Sequence, residues 1–460
     1  MKFKRFFGTV LVLLAVGISS ACSSGRAEFV VPDYFDTTTP VEVEFWHTMG
    51  AASEEILNRM IEDFNVIFPN ITINHASQGN YDSLFDMIAR AIPARAEPTM
   101  AYVYPDHVAT YLGRNPERSA VVPLNDLIYH SNPQIGLSAA DRADFIQVFW
   151  DEGAAYGVQR NGENVIFSMP FSKSTEVLFY NRTFFQTHNL TVPTTWEEAR
   201  NVARQIRHII DTDPSVPSNS LPFAYDSASN LFITSAAQQG NAFTSATPEH
   251  FLFDNPGNRA MVEFFADMYN EGIFVTRDMP ELQGTFSSSM FTVGQAFMTI
   301  GSTGGTRHNI PMREGDGFIF DAGVAPLPQF DLNNRAAIQQ GPSISFFKRD
   351  NSQEVVAAWL FYKFITNPTN SAIFAMSSGY EPVRYSSYEL PIYQAFLEDD
   401  NLFTRVARVT QVQKDDFFFS PAFRGSAQAR QQVGNIINQR MLNTRSADQA
   451  FSEALRNLRF

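Results

Sequence analysis

The stretch from residue 41 to residue 104 alternates strand-like and helix-like patterns, and this order constrains the fold more than any other feature. Residues 41–45 alternate apolar and acidic side chains, as a half-buried strand does, and residues 71–73 and 100–104 begin two further strands. Apolar residues at helical spacing predict helices from about Ser53 and over 82–92. A βαβαβ order predicts a parallel sheet covered by helices, so we expect an α/β fold.

Helical patterns recur along the rest of the chain. They cover residues 196–210, 257–269, 353–366 and about 427–441. In each of them apolar residues return three and four positions apart, which is typical of helices that cover a sheet. The α/β prediction therefore extends over the whole chain.

The length, net charge and cysteine count exclude several classes of protein. The 460 residues predict two or three domains, and 44% hydrophobic side chains with 18% charged ones are typical of a globular protein. The net charge of -14 argues against nucleic acid as a partner. The single cysteine excludes a disulfide scaffold and a cysteine-rich zinc site.

The first 21 residues have the pattern of an export signal. Lys2, Lys4 and Arg5 precede an apolar stretch over residues 10–18, and small residues follow it. The apolar stretch is too short to span a bilayer, which needs about 20 residues. We therefore predict a signal peptide over residues 1–21.

The only cysteine, Cys22, follows this signal directly. Its position resembles that of the acylated cysteine in bacterial lipoproteins. We therefore predict lipid attachment at Cys22 and a lipoprotein tether over residues 22–39. The exported protein would be anchored to the cell membrane on its periplasmic or outer-facing side.

Residues that follow the predicted strands are the first candidates for ligand contacts, because open α/β sheets bind ligands beyond the carboxyl ends of their strands. Trp46 and His47 end the first strand, Tyr81 follows the second and Asp106 follows the third. Aromatic and hydrogen-bonding side chains in such positions predict a pocket for a small polar ligand.

Motifs for catalysis and cofactor binding are missing from the sequence. It has no GxGxxG after a strand, no P-loop, no HExxH and no GxSxG, and its eight histidines include no close pair suited to a metal. We therefore predict a binding protein that has no catalytic residues and needs no cofactor or metal.

An ordered series of short motifs runs through nearly the whole chain after the signal. The motifs lie at residues 45–49, 78–81, 122–126, 169–175, 177–181, 193–199, 294–298, 357–359 and 379–384. In this order they resemble the extracellular solute-binding proteins of bacterial ABC importers, in their large carbohydrate-binding class. The resemblance implies a two-lobed periplasmic-binding-protein fold of type II, in which each lobe is a central sheet flanked by helices and hinge strands join the lobes.

Within that family the motifs are most similar to those of the sn-glycerol-3-phosphate-binding members. The resemblance implies ligand contacts by Tyr81, Ser174, Ser302, Gly341, Tyr380 and Arg430. Arg430 would hold the phosphate through its planar fork of donors. An acidic residue of those members aligns with Pro105, so we expect Asp106 beside it to take that place. Trp46 and Trp196 would pack on C–H surfaces of the ligand.

The resemblance also implies the organisation and the partners of the protein. One lobe would comprise residues 40–145 and 321–367, and the other residues 146–320 and 368–460. The protein, expected to be a monomer, would close on sn-glycerol-3-phosphate or a glycerophosphodiester and deliver it to the transmembrane subunits of an ABC permease.

Two alternatives stay open from the sequence. The same scaffold could bind a di- or oligosaccharide, which predicts a cleft richer in aromatic side chains and carboxylates and no role for Arg430. An exported glycosidase would use two carboxylates, and changing either one would abolish turnover.

Overall fold

The computed structural model describes residues 28–154, 156–247 and 249–458. The predicted signal peptide and Cys22 lie outside these residues. Within the described ranges, no helix combines the length and the apolar character needed to cross a membrane.

The described part of the predicted tether packs against the body of the protein. Phe29 and Phe35 are buried in a hydrophobic core, and the side-chain amide of Gln353 donates to the Tyr34 carbonyl at 3.1 Å. Burial of two phenylalanine side chains holds this segment in place. Residues 29 and 35, which fall in the predicted tether, are therefore part of the folded body.

Strands occur along the whole described chain. In chain order they are β1 (Val41–His47), β2 (Ile71–Ser77), β3 (Met100–Val103), β4 (Gln159–Arg160), β5 (Glu163–Asn164), β6 (Met169–Pro170), β7 (Ser174–Asn181), β8 (Leu221–Tyr225), β9 (Val275–Thr276), β10 (Ala296–Ser302), β11 (Arg313–Glu314), β12 (Gly317–Phe318), β13 (Ala322–Ala325), β14 (Ala337–Gln340), β15 (Ser343–Phe346) and β16 (Phe417–Phe418).

Helices alternate with these strands. In chain order they are α1 (Ala51–Ile67), α2 (Tyr81–Ala94), α3 (Pro105–Leu112), α4 (Asn125–Ile128), α5 (Ala139–Asp144), α6 (Gln147–Glu152), α7 (Arg182–Thr187), α8 (Trp196–Thr212), α9 (Ala228–Gln238), α10 (Pro256–Asn270), α11 (Ser288–Phe291), α12 (Ser352–Ile365), α13 (Pro368–Ser378), α14 (Tyr385–Glu389), α15 (Pro391–Glu398), α16 (Leu402–Gln413), α17 (Ser426–Met441) and α18 (Ala447–Asn457). Short 3₁₀ turns cover Pro116–Arg118, Thr303–Asn309 and Lys414–Asp416.

The helices predicted from periodicity are confirmed with small shifts at their ends. The predicted helices at 196–210, 257–269, 353–366 and 427–441 correspond to α8, α10, α12 and α17. The first helix begins at Ala51, before the predicted Ser53, because Gly50 in extended conformation serves as its N-cap.

The first lobe contains a five-stranded sheet in the order β2-β1-β3-β15-β6. β1 pairs in parallel with both β2 and β3, which confirms the prediction from the βαβαβ order. β15 and β6 come from later in the chain and pair antiparallel at the other edge. Val41, Val43 and Phe45 of β1 face the core while the residues between them are exposed.

The second lobe contains a sheet in the order β16-β14-β7-β10-β8-β9, with β13 also paired to β7. β7 is buried along nearly its whole length, as a central strand covered on both faces should be. Helices α9, α17 and α10 pack against one another beside this sheet. The α/β fold with two sheets of this kind is the one predicted from the sequence.

Two hydrophobic cores divide the chain at places that differ from the boundaries expected near 145, 320 and 367. Residues 149–171 contribute Phe149, Phe167 and Phe171 to the first core. Residues 320–338 contribute Phe320 and Ile338 to the second. We propose that the lobes follow these cores, with residues 28–172 and 343–383 in the first and 174–341 and 402–458 in the second.

Two neighbouring segments carry the chain between the sheets, and we call them the hinge segments. One is residues 171–173, between β6 and β7, and the other is residues 341–342, between β14 and β15. Ser343 pairs with Pro170 in the first sheet and Gln340 pairs with Ser174 in the second. The two hinge segments therefore run side by side.

Gly341 is the tightest point between the hinge segments. Its φ is +93°, and a Cβ there would lie 2.3 Å from the Ser172 carbonyl oxygen. Only glycine accommodates both the left-handed backbone and the close approach.

A buried ion pair joins the same two segments. The Lys173 ammonium donates to the Glu152 carboxylate and, at 3.0 Å, to the Gly341 carbonyl. The two side chains are 0% and 4% exposed. One cation therefore contacts both hinge segments and the first lobe.

Candidate ligand-binding cleft

A cleft of about 1390 Å³ lies between the two lobes. On the first lobe it is lined by residues that follow the carboxyl ends of β1, β2 and β3, the positions expected for an open α/β sheet. On the second lobe it is lined by residues from β7, from the ends of β8 and β10, and from α9 and α17. Of the predicted ligand residues, the structure brings together Tyr81, Asp106, Ser174, Ser302, Tyr380 and Arg430.

Arg430 projects from α17 toward the first turn of α9. Its Nη2 donates to the side-chain oxygen of Asn230 at 2.5 Å. Ser227 caps α9 by accepting the Asn230 backbone N–H at 3.2 Å. The guanidinium therefore lies beside the positive end of a helix dipole, an arrangement that suits an anion.

Asp106 lies across the cleft from Arg430, in the first turn of α3. Its Oδ2 is 3.9 Å from Nε of Arg430. This distance is long for a hydrogen bond, and the pair joins the two lobes only loosely. The carboxylate that we predicted to hold ligand hydroxyls thus faces the cation predicted to hold the phosphate.

Ser174 and Ser302 meet at the floor of the cleft on the second lobe. The Ser302 hydroxyl donates to the Ser174 hydroxyl at 3.2 Å and accepts the Gly304 backbone N–H at the same distance. The two strands that carry them, β7 and β10, pair antiparallel. Two small hydroxyls in the same cleft as Arg430 can both donate to and accept from a polar ligand.

A cluster of tyrosines forms the wall on the first lobe. The rings of Tyr81 and Tyr104 lie 4.6 Å apart, and Tyr380 and Thr48 line the same cleft. Burial raises the pKa of Tyr81, Tyr104 and Tyr380 well above the ordinary value. These phenols are therefore neutral at physiological pH and can donate hydrogen bonds.

The two tryptophans predicted to pack on the ligand lie elsewhere. Trp196 is 2% exposed inside the second core, where its ring stacks near Tyr225 and its Nε1 donates to Gln238 at 3.0 Å. Trp46 packs against the first core and is absent from the cleft wall. Both are corrections: Trp196, whose N–H has a partner in the core, gains from burial there, and Trp46 packs its ring against the first core.

His47 also lies outside the cleft, fully buried behind Thr48. Its Nδ1 accepts the Met49 backbone N–H at 3.2 Å, and its Nε2 lies 2.9 Å from Nδ1 of His75. Burial, followed by the repulsion of His75, lowers the pKa of His47 to about 4. His47 is therefore a neutral structural residue, which corrects the predicted ligand contact.

Among the described residues, one group of possible metal ligands was found, namely His47, Glu54 and His75. Nε2 of His75 already bonds with Asn58 at 2.8 Å, and both nitrogens of His47 have partners. Metal binding would require these hydrogen bonds to rearrange. We therefore interpret His47 and His75 as a structural pair whose ring nitrogens are all hydrogen-bonded.

Gly341 does not line the cleft, although its neighbour Gln340 does. Its carbonyl accepts from Lys173, and its backbone lies against the other hinge segment. The residue expected to contact the ligand is therefore placed as a hinge glycine.

Glu176 and Asn230 line the cleft and were missed by the sequence analysis. Asn230 Nδ2 donates to Glu176 at 2.8 Å and to Gln340 at 3.0 Å, and the Tyr225 hydroxyl donates to the other oxygen of Glu176. Burial raises the pKa of Glu176 to about 7 against these hydrogen bonds. The available signal in the sequence was Glu176 itself, a single acidic residue directly before the apolar stretch 177–180.

Glu381, next to the cleft tyrosine Tyr380, is a second buried acid. Its backbone N–H donates to the Lys173 carbonyl at 2.6 Å, and the Tyr388 hydroxyl donates to its carboxylate at 2.8 Å. Burial raises the pKa of Glu381 to about 7, more than the hydrogen bonds lower it. The folded protein therefore binds this proton more tightly than the unfolded chain, whose glutamates titrate near 4.5.

We expect Glu381 to contribute a decrease in the free energy of unfolding as the pH rises from 4.5 to 7, whereas His47, with its lowered pKa, contributes an increase over much of the same range. The contribution of a protonated Glu381 is fully present below the unfolded pKa and is lost as the pH passes the folded one. Urea unfolding at several pH values should show that the free energy of unfolding falls less steeply, or rises more steeply, with pH in Glu381→Gln than in the unchanged protein. Glu398→Gln, at an exposed position of α15, should keep the original slope. Equal slopes for all three proteins would contradict the prediction.

A family model for the bacterial extracellular solute-binding proteins matches residues 59–404 of the chain. The match includes most of both sheets and both hinge segments. It therefore covers most of the elements that form the cleft, but neither β1 with Thr48 nor α17 with Arg430.

Curated and solved proteins show the same similarity. The sn-glycerol-3-phosphate-binding periplasmic protein UgpB of Escherichia coli K12 is 23% identical over 376 residues, covering 77% of each chain. The structure of Mycobacterium tuberculosis UgpB in complex with glycerophosphocholine matches with a TM-score of 0.73 at 19% identity, covering 92% of this chain and 98% of that one. The GacH receptor of Streptomyces glaucescens, solved unliganded and with acarbose, matches with a TM-score of 0.71 at 16% identity, covering 91% and 98%. The two structural matches show a shared two-lobed fold.

Proposed function

The chain belongs to the family of bacterial extracellular solute-binding proteins, and from this premise we propose that it captures a glycerophosphate for an ABC importer. The ligand would be sn-glycerol-3-phosphate or a glycerophosphodiester. Family membership makes the protein a substrate-binding component that partners with a permease, and the relatives in this family are binding proteins, not enzymes.

The position of Arg430 carries this proposal. Its guanidinium lies beside the first turn of α9, and the hydroxyls of Ser174 and Ser302 line the same cleft. A phosphate group needs several fixed donors, and an arginine beside the positive end of a helix, together with hydroxyls, supplies them. The arrangement supports a ligand with one phosphate group.

The other charges of the cleft favour a phosphate that carries hydroxyl groups. Asp106, Glu176 and Asp226 line the same cleft as Arg430. Carboxylates repel a bare inorganic anion, but they accept hydrogen bonds from hydroxyls. A polyol phosphate satisfies both the cation and the acids.

The proposed capture uses contacts on both lobes. Tyr81 and Asp106 belong to the first lobe, whereas Ser174 and Arg430 belong to the second. A ligand that contacts both sides stabilises a closed arrangement over an open one, with rotation at the hinge segments. The closed form would then be the one that the permease recognises.

A di- or oligosaccharide remains the second candidate ligand, and the size of the cleft favours it. A volume of about 1390 Å³ exceeds the space that one small polyol phosphate needs. Carboxylates and tyrosines are also suitable contacts for sugar hydroxyls. GacH was solved with a saccharide-like ligand, acarbose, on the same fold.

Calorimetric titration distinguishes these ligands. We would titrate the chain lacking residues 1–22 with sn-glycerol-3-phosphate, glycerophosphocholine, maltose and trehalose. One-to-one binding of a glycerophosphate and not of the neutral sugars is expected. Binding of a neutral sugar alone would overturn the glycerophosphate proposal and leave the transport role intact.

Attachment to the membrane through acylated Cys22 and action as a monomer are parts of the same proposal. The family and its periplasmic relatives support export. Cys22 lies outside the described residues, and its sequence context supports the acylation.

A further inference from the structure

Asp226 occupies a fixed position at the edge of the cleft, directly after β8. Its backbone N–H donates to the Ile300 carbonyl at 3.0 Å, which holds it against β10. Ser287 donates twice to Oδ1, from its backbone N–H at 2.8 Å and from its hydroxyl at 2.7 Å. The carboxylate therefore has a defined orientation.

The other oxygen of Asp226, Oδ2, has no hydrogen-bond partner among the described residues. A Cβ at Gly301 would lie 3.0 Å from this oxygen, so the glycine leaves it uncovered. The next residue, Ser302, lines the cleft at the end of the neighbouring strand β10. Neighbouring strands are about 4.8 Å apart, which places Asp226 within reach of a small molecule held at Ser302.

The other acids of the cleft interior have partners. Both oxygens of Glu176 accept hydrogen bonds, Glu152 pairs with the hinge lysine, and Asp106 faces Arg430. Asp226 is the one with a fixed orientation and an uncommitted oxygen. Burial raises the pKa of Asp226, although the two hydrogen bonds from Ser287 and then the charge of Arg277 oppose this, so a donor from a ligand would replace lost solvation.

We infer that Asp226 accepts a hydrogen bond from a hydroxyl of the ligand, and that it thereby selects polyol phosphates over alkyl phosphates. The phosphate would lie toward Arg430 and the hydroxyls toward Asp226. The inference rests on the proposed function. It identifies Asp226 as the residue that contacts the hydroxyl groups of the ligand.

Two ligands of matched size test the inference, namely sn-glycerol-3-phosphate and n-propyl phosphate, which lacks the hydroxyls. Wild-type protein should bind the first more tightly. In Asp226→Asn the affinity for sn-glycerol-3-phosphate should decrease about 10- to 100-fold, since a hydrogen bond to a charged group is lost. The affinity for n-propyl phosphate should stay the same or increase, because removal of a negative charge favours any anion.

Because the affinities for the two ligands should change in opposite directions, the experiment distinguishes the loss of a hydrogen bond from the general electrostatic effect of removing a charge. Asp316→Asn, the same change at an exposed position of the second lobe, should leave both affinities unchanged. Asp226→Ser serves as the second variant if thermal unfolding shows that the asparagine variant does not fold. Equal changes for both ligands, or no change, would overturn the inference. Wild-type protein that binds neither phosphate would instead overturn the proposed function on which it rests.

Discussion

Arg430→Ala is expected to weaken binding of a glycerophosphate by about 2–4 kcal/mol, or ~30- to 1000-fold in Kd. The variant removes the guanidinium that bonds to the first turn of α9 and leaves the phosphate without its planar fork. It also leaves Asp106 facing the ligand with no cation between them. Calorimetric titration of both proteins with sn-glycerol-3-phosphate measures the loss.

Two further variants make this result specific. Arg430→Lys keeps the charge but loses the fork, so an intermediate affinity is expected. Arg440→Ala changes an arginine on the same helix that pairs with Glu263 at 2.8 Å outside the cleft, and it should leave the affinity within about twofold. If Arg430→Ala bound sn-glycerol-3-phosphate with unchanged affinity, the phosphate would not be bound at the proposed site, and the saccharide alternative would be favoured.

Glu152→Gln is expected to destabilise the folded protein by about 3–5 kcal/mol, because it leaves the buried ammonium of Lys173 without its counter-ion. The loss should appear in urea unfolding as a lower midpoint. Replacing both residues, as in Lys173→Met with Glu152→Gln, should recover much of the stability, since a buried pair is more costly to break than to replace.

An exposed ion pair of the same lobe serves as the comparison. Arg160 and Asp126 are 3.0 Å apart and about half exposed. Asp126→Asn should change the free energy of unfolding by less than about 1 kcal/mol, because solvent screens such pairs. Similar decreases in the free energy of unfolding for Asp126→Asn and Glu152→Gln would show that the buried Lys173–Glu152 pair contributes no more to stability than an exposed one.

Much of the fold could be predicted because it depends on local patterns. The alternation in β1 and the helical spacing in α8 and α17 identify each element from its own residues. The rule that ligands bind beyond strand ends also led to Tyr81 and Asp106. The antiparallel strands β15 and β6 could not be found in this way, because β15 pairs with β3 and β6 pairs with β15, and in both cases the partner lies far away in the sequence.

The incorrect site predictions concern residues whose types suit both a core and a cleft. Trp196 and His47 have polar atoms that the sequence leaves without identifiable partners, and Gln238 and His75 turned out to supply them. Glu176 and Asp226 were missed for the opposite reason, since an acid at a strand end gains its meaning only from the strands beside it. Long-range packing, which one sequence does not encode locally, decides these cases.

The late arrival of β15 in the first sheet has a consequence for the order of assembly during export. β3 pairs with β15 along its whole length, so this edge of β3 has no partner strand until residue 346 has crossed the membrane. The second core likewise needs α17 and α18, near the end of the chain. Neither lobe can be completed on an emerging fragment. Chains interrupted before β15 would expose the unpaired edge of β3, and chains interrupted before α17 would expose apolar surface of the second core, to proteases and to one another.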